Sequence, residues 1–193
     1  MLKKYLVIGL ALALAISPLA AAKASPLSLL QISTDPYTNG DSQHQTQVEP
    51  DSFAYGNTVV AVFQSGRYYD GGASNVGWST SSDGGATWTE GFLPGTTVHA
   101  NPPGAYQRVS DPVVAYDAKH DVWMVGTLAI NNAVGKAVLI SRSTDGGATF
   151  ANPVTVSSTS GGFYDKNWTT CDNWPNSPYY GNCYTQWDDA YAG

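Results

Sequence analysis

Three acidic residues, Glu49, Asp111 and Asp165, open three segments of related pattern, and the first two are each followed by proline. Carboxylates at the heads of neighbouring strands can accept hydrogen bonds from sugar hydroxyls or hold a cation. Acid–proline pairs also initiate turns, and the sequence leaves both roles open. Trp168, Trp174, Tyr179 and Tyr180 cluster around the third segment, where aromatic rings serve either as a stacking platform or as packing between sheets. Asp35, Asn39 and Asp41 could touch a calcium ion, but their spacing matches no EF-hand loop, and a turn-rich linker or outer strand is the plainer reading. Cys171 and Cys183 are the only cysteines. In an oxidising compartment they pair across a short loop, a bridge worth about 3 kcal/mol in the chain-entropy model. Two thiols with no histidine nearby in the sequence make an incomplete metal site, so neither a metal nor another cofactor is expected.

The elements that must position these groups are written as a repeat. Ser81-Ser82-Asp83-Gly84-Gly85-Ala86-Thr87-Trp88 returns at Ser143-Thr144-Asp145-Gly146-Gly147-Ala148-Thr149-Phe150, 62 positions later (143 minus 81). In each copy the aspartate can accept backbone N–H groups of its own turn, the glycines supply positive φ, and the final aromatic ring can bury itself between sheets. Residues Ser81, Asp83, Gly85, Thr87 and Trp88, with Ser143, Asp145, Gly147, Thr149 and Phe150, therefore read as a structural staple. Glu49 precedes Asp83 by 34 residues, and Asp111 precedes Asp145 by the same number. Between acid and box lie short runs rich in β-branched and aromatic residues, and a further short run follows each box. Four antiparallel strands per unit without helical periodicity describe one blade of a β-propeller.

Two blades are complete, at about 49–104 and 105–160, and a third begins at 161. Its box aspartate is expected near position 199 (165 plus 34), beyond Gly193, so the sequence reads as the N-terminal piece of a longer protein. The expected class is all-β, with about two and a half four-stranded blades of a probable six. Open sheet edges in such a piece favour association, and the isolated chain is expected to be insoluble or oligomeric.

Lys3 and Lys4, the apolar run Tyr5 to Ile16 and Ala22-Lys23-Ala24 read as a secretory signal peptide over 1–24, cleaved after Ala24. The apolar stretch is too short to span a bilayer. Residues 25–48 read as a polar lead-in and 49–193 as the partial propeller. Cleavage removes three of the nine Lys and Arg and none of the fifteen acids, leaving a net charge of −9 (6 minus 15). An acidic surface disfavours nucleic acid and anionic membranes and suits glycans or glycoconjugates outside the cell. Asn167-Trp168-Thr169 is a glycosylation sequon.

With Ser-x-Asp-x-Gly-x-Thr-Trp/Phe matched at every defined position in both octapeptides, the sequence resembles the sialidase superfamily of Asp-box propellers from Glu49 onward. The resemblance implies a six-bladed propeller with its boxes on outer hairpins, remote from the central site. It also implies an exo-sialidase type of glycoside hydrolase, which clamps the substrate carboxylate with arginines, attacks with a tyrosine and uses an aspartate as acid/base. The family's Gly-Arg element followed by aspartate has a counterpart in Gly66-Arg67-Tyr68-Tyr69-Asp70. It makes Arg67 a substrate-binding residue and Asp70 the acid/base candidate; Arg108 is a second arginine able to reach the axial opening. The family's first-blade Arg-Ile-Pro is here Val48-Glu49-Pro50, without the arginine. That departure keeps open a non-catalytic propeller that binds glycans or cell-surface proteins. Arg67 and Asp70 also fit a solvated loop joined by a modest salt bridge.

Overall fold

Strand β1 (Ser42–Tyr55) begins a meander with β2 (Thr58–Tyr68), β3 (Ala73–Ser81) and β4 (Thr89–Phe92). A second meander runs through β5 (Arg108–Asp117), β6 (Val122–Asn131), β7 (Val134–Ser143) and β8 (Val154–Ser158), and a third through β9 (Tyr164–Cys171) and β10 (Cys183–Asp189). Every strand pair is antiparallel. The computed structural model describes residues 29–190, so the signal-peptide reading of 1–24 lies outside the described residues. Among the described residues there is no helix, and none long and apolar enough to cross a membrane. The architecture is that of an all-β partial propeller: two four-stranded blades and two strands of a third. A single bridge, Ala73 to Val109, joins the first two blades into one hydrogen-bonded sheet.

β2 and β3 are buried on both faces, which is why they read as near-continuous apolar and small-residue runs rather than as an alternation. One face carries Val60, Val62, Val76 and Trp78, which pack with Val114, Tyr116, Trp123, Val125 and Phe150 of the second blade. Tyr55, Tyr116, Trp123 and Phe53 form a ladder of rings through this seam, with centroids 4.6, 4.7 and 6.1 Å apart in turn. Burial chiefly, and a hydrogen bond to Asp121, push the Tyr116 hydroxyl up to about 12. The seam between the second and third blades is smaller: Leu128, Ile130 and Val138 against Tyr164 and Trp187.

The stretch read as a polar lead-in is a working part of the first blade. β1 already starts at Ser42, and the residues ahead of it are stitched to the face of that blade turned away from the second. Ser79 Oγ donates to the Ile32 carbonyl at 2.7 Å, and Thr34 gives its N–H and hydroxyl to the Glu90 carboxylate at 2.6 Å each. Tyr37 meets Phe92 edge-on at 5.3 Å. Asp35 accepts three backbone N–H groups, from Tyr37, Thr46 and Gly66, each at 3.0 Å. Its oxygens are committed to the chain, as is the side-chain oxygen of Asn39, which accepts from Ser74 at 2.9 Å. Asp35 and Asn39 thus serve to tie the lead-in to the first blade.

Both boxes close as the sequence implies. Asp83 Oδ1 accepts from Ser81 Oγ at 2.8 Å and from the Thr87 N–H at 2.9 Å, while Oδ2 accepts the Thr87 hydroxyl at 2.6 Å. Asp145 repeats the pattern with Ser143 and Thr149. The aromatic ends differ: Phe150 is buried against Trp78 at 5.6 Å, whereas Trp88 is half-buried and donates its indole N–H to the Gly85 carbonyl at 3.0 Å. The second box has a whole blade to dock on. Its Gly147 carbonyl accepts from Thr80 Oγ1 at 2.7 Å.

The bonds from threonine and serine pull the Asp83 and Asp145 carboxyls down from the ordinary 3.8 to about 2. A folded-state pKa depressed in this way contributes stability above the unfolded value and loses it as pH falls through the folded one. Thermal melting should therefore hold down to about pH 4 and drop between about pH 4 and pH 2. In an Asp83→Asn/Asp145→Asn double variant that drop should shrink. An unchanged acid limb in the variant would remove the boxes as its cause.

Candidate functional site

Alternation of antiparallel strands sorts the loops to two ends. The boxes lie with the β1–β2 turn, where Gly84 N–H donates to the Asn57 carbonyl at 2.9 Å. The Cys171–Cys183 disulfide is formed and closes the β9–β10 loop at this same end. That loop is sewn to the second blade by Asn173, which bonds the Ala118 N–H at 2.8 Å and the Tyr116 carbonyl at 2.7 Å. Trp174 and Tyr179 stand exposed on it. The β2–β3 turn, the β6–β7 turn and the 93–107 connection lie at the opposite end.

Between the boxes and that opposite end, the three inner strands β1, β5 and β9 share one device. Glu49, Asp111 and Lys166 have φ of 51°, 47° and 52°, each at a break in strand register. A non-glycine residue in left-handed backbone is costly, and three at equivalent places mark a bulge repeated blade by blade. The first two bulges turn groups toward the next blade: Asp51 accepts the Val114 N–H at 2.9 Å, and Asp111 accepts the Lys166 N–H at 3.1 Å. A pocket of about 450 Å³ opens here, lined by Glu49, Asp111, Lys166, Trp168 and Gln186 among others. Glu49 and Asp111 are coupled through a buried relay. Gln64 Nε2 donates to the Glu49 carboxylate and to Ser110 Oγ, and Ser110 Oγ donates to Asp111 at 2.7 Å. Trp168 keeps 53% of its surface exposed beside them. An exposed indole flanked by fixed acceptors, an amide and an ammonium suits a ring that carries hydroxyls.

Asp165 does not join this group. It sits opposite Asp188 in the β9–β10 register, and Lys166 takes the bulge position that Glu49 and Asp111 occupy in their blades. The sequence signal was present but displaced by one residue, because the third blade has asparagine where the others have proline. Asn167 itself is 2% exposed and donates to the Asp111 carbonyl at 3.2 Å, so the sequon is folded into the blade seam.

A second pocket, of about 570 Å³, lies at the end opposite the boxes, on the seam of the first two blades. Asp70 and Arg108 both line it and form an ion pair of 2.7 Å. Arg108 Nη1 also donates to the Gly71 carbonyl at 2.8 Å, and the guanidinium lies 4.8 Å above the Tyr68 ring. The Tyr68 hydroxyl meets His99 Nε2 at 3.0 Å and accepts from Asn39 Nδ2 at 3.3 Å. Burial raises the Tyr68 hydroxyl above its ordinary range, while the hydrogen bond from Arg108 holds the Asp70 carboxyl below its own. Arg67 is placed elsewhere: it donates to Gln43 Oε1 at 2.8 Å across the β1–β2 pairing. The structure thus brings together Asp70 with Arg108 and not with Arg67. Tyr68 and His99 were not legible as site residues, since nothing in their local sequence distinguishes them from core and loop.

No protein-family model and no curated protein matches the sequence. Solved structures do. A candidate exo-β-1,3-galactanase from Bifidobacterium bifidum matches over 82% of this chain and 49% of its own, with 15% identity and a TM-score of 0.53. The exo-β-1,3-galactanase of Phanerochaete chrysosporium, solved with β-1,3-galactotriose, matches over 83% of this chain and 36% of its own, with 14% identity and a TM-score of 0.50. A Hadza microbial sialidase matches at 17% identity over 63% of this chain and 29% of its own, with a TM-score of 0.48, too low to count toward fold or function. The chain spans less than half the length of each of these structures. At such identities the likeness establishes the shared fold and leaves the chemistry to the residues.

Proposed function

We propose that this chain supplies the first blades of a secreted glycoside hydrolase of exo-sialidase type, one that acts on a terminal acidic sugar. The observation that carries this reading is the Arg108–Asp70–Tyr68 cluster at the end opposite the boxes. A largely buried guanidinium, held over a tyrosine ring and lining a pocket, is built to receive a carboxylate. Asp70 beside it is the acid/base of the reaction in this reading, and Arg108 rather than Arg67 is the substrate contact. The Cys171–Cys183 bridge fits an oxidising compartment, in keeping with secretion through the N-terminal segment.

Release of sialic acid by the full-length parent protein tests the reading. Asp70→Asn should lower kcat by about a hundredfold, the low end for losing a general acid/base. A fully active Asp70→Asn variant would remove the acid/base role, and a parent that releases no sugar would remove the hydrolase.

A second reading is favoured by the inner-strand pocket. Val48 stands where the sialidase resemblance calls for an arginine, and Glu49 beside it makes, with Asp111 and Trp168, a site suited to neutral sugars. A glycan-binding propeller without turnover follows. Trp168→Ala should then weaken glycan binding about tenfold, within the range for losing an aromatic contact. Binding untouched by that change would place the glycan elsewhere.

A further inference from the structure

The Asp70–Arg108 pair is unequal in a way that bears on what the seam pocket accepts. Arg108 is the held partner. Its side chain is 12% exposed, it packs over Tyr68, and the Nη1 that meets Asp70 is also bonded to the Gly71 carbonyl. Asp70 is the loose one, with a side chain 62% exposed and Arg108 as its side-chain partner. It projects from the short β2–β3 turn, whose backbone is closed independently of the carboxylate. The Tyr68 N–H donates to the Gly72 carbonyl at 2.8 Å, and Gly71 and Gly72 take φ of 104° and 71°. Rotation of the Asp70 side chain therefore clears Arg108 without unmaking the turn.

We infer that Asp70 is the resident counter-ion of an anion-binding Arg108, displaced when the carboxylate of an acidic sugar takes its place. The inference rests on the reading of Arg108 as the contact for a substrate carboxylate. Its physical content is selectivity by exchange. A neutral sugar has nothing to offer the guanidinium in return for an ionic partner, so it meets an occupied cation. A carboxylate replaces one charge-assisted hydrogen bond by another, and Arg108 is never left uncompensated. Exchange also frees Asp70 from the cation that keeps it ionised. It then faces Asp41, Tyr68, Tyr69 and His99 around the pocket, with the guanidinium neutralised by the ligand. Its proton affinity rises on binding, back toward that of an ordinary carboxyl, once the guanidinium no longer holds it down.

Isothermal titration of the full-length parent protein with N-acetylneuraminic acid and with its methyl ester tests this. The wild-type chain should bind the acid and not the ester. Asp70→Asn removes the competing charge and should bind the acid about threefold more tightly, as expected for displacing a solvent-facing ion pair. Titrations at about pH 4, within the carboxylate range, in buffers of different ionisation enthalpy should show proton uptake by the wild-type chain that the variant lacks, a readout that a merely structural Asp70 would not move. Equal or weaker binding by Asp70→Asn, with the wild type binding the acid, overturns the counter-ion role and leaves Arg108 as the anchor. If neither chain binds the acid, the anchor reading itself falls and takes the inference with it.

Discussion

Replacing Trp123 by alanine will cost about 3–5 kcal/mol of folding stability, the range for emptying a buried aromatic site. Trp123 is 2% exposed, stacks on Tyr116 and meets Phe53 of the first blade edge-on. It is therefore a shared wall of both blades rather than a residue of one. The seam is close-packed, so the cavity left behind collapses only in part. A domain with about 5–15 kcal/mol in hand loses a large fraction of it. Trp88→Ala is the control. That ring is half-buried with one indole hydrogen bond, and about 1 kcal/mol is expected. Urea midpoints at constant m give both numbers. Similar costs for the two would mean that the ring ladder is not what joins the blades. The loss has a functional side too, because the same seam sets Arg108 of the second blade over Tyr68 of the first.

A methyl group added at Gly135 should cost about 3 kcal/mol or more, the upper range for overpacking. Gly135 lies in β7 with backbone outside the left-handed region, so conformation gives no reason for glycine there. Space does: a Cβ would stand 1.9 Å from the Tyr164 carbonyl oxygen and 2.9 Å from its carbon. Both are backbone atoms that no rotamer change can move aside. Gly135→Ala must then push β9 off the second blade, disturbing Tyr164, whose hydroxyl meets Ser157 at 3.0 Å and whose ring packs on Trp187. Gly146→Ala is the comparison, with φ of 77° and open space around it. It should cost about 1 kcal/mol, from backbone alone. Near-equal midpoints would mean that the third blade's strands yield freely to the second.

Where a feature depends on residues close in sequence, composition and spacing were enough. The box is the clearest case: serine, aspartate, glycine and threonine within eight positions close a turn through bonds spanning two to four residues. Strand order followed from the same locality, since a meander pairs each strand with the next. The Cys171–Cys183 bridge followed from there being one possible partner. The bulge in the third blade shows the limit. Glu49 and Asp111 were visible through the prolines after them, but Lys166 was passed over for Asp165, because side-chain chemistry changes there while the backbone conformation does not.

Residue types and their spacing are enough to specify an all-β chain, its two and a half blades, the boxes that clamp the β3–β4 and β7–β8 hairpins and the paired cysteines. All of these rest on short-range hydrogen bonding and on the two-residue period of strands, which local residue types encode directly. Which arginine meets Asp70, how Asp35 ties the lead-in to the first blade, and how Gln64 joins Glu49 to Asp111 emerge with the folded sheets alone. These contacts join residues brought close by the sheet or by the packing of one blade on another, at sequence separations of up to 46 residues. Such distances follow from the twist and stacking of whole sheets, and no window of the chain contains them.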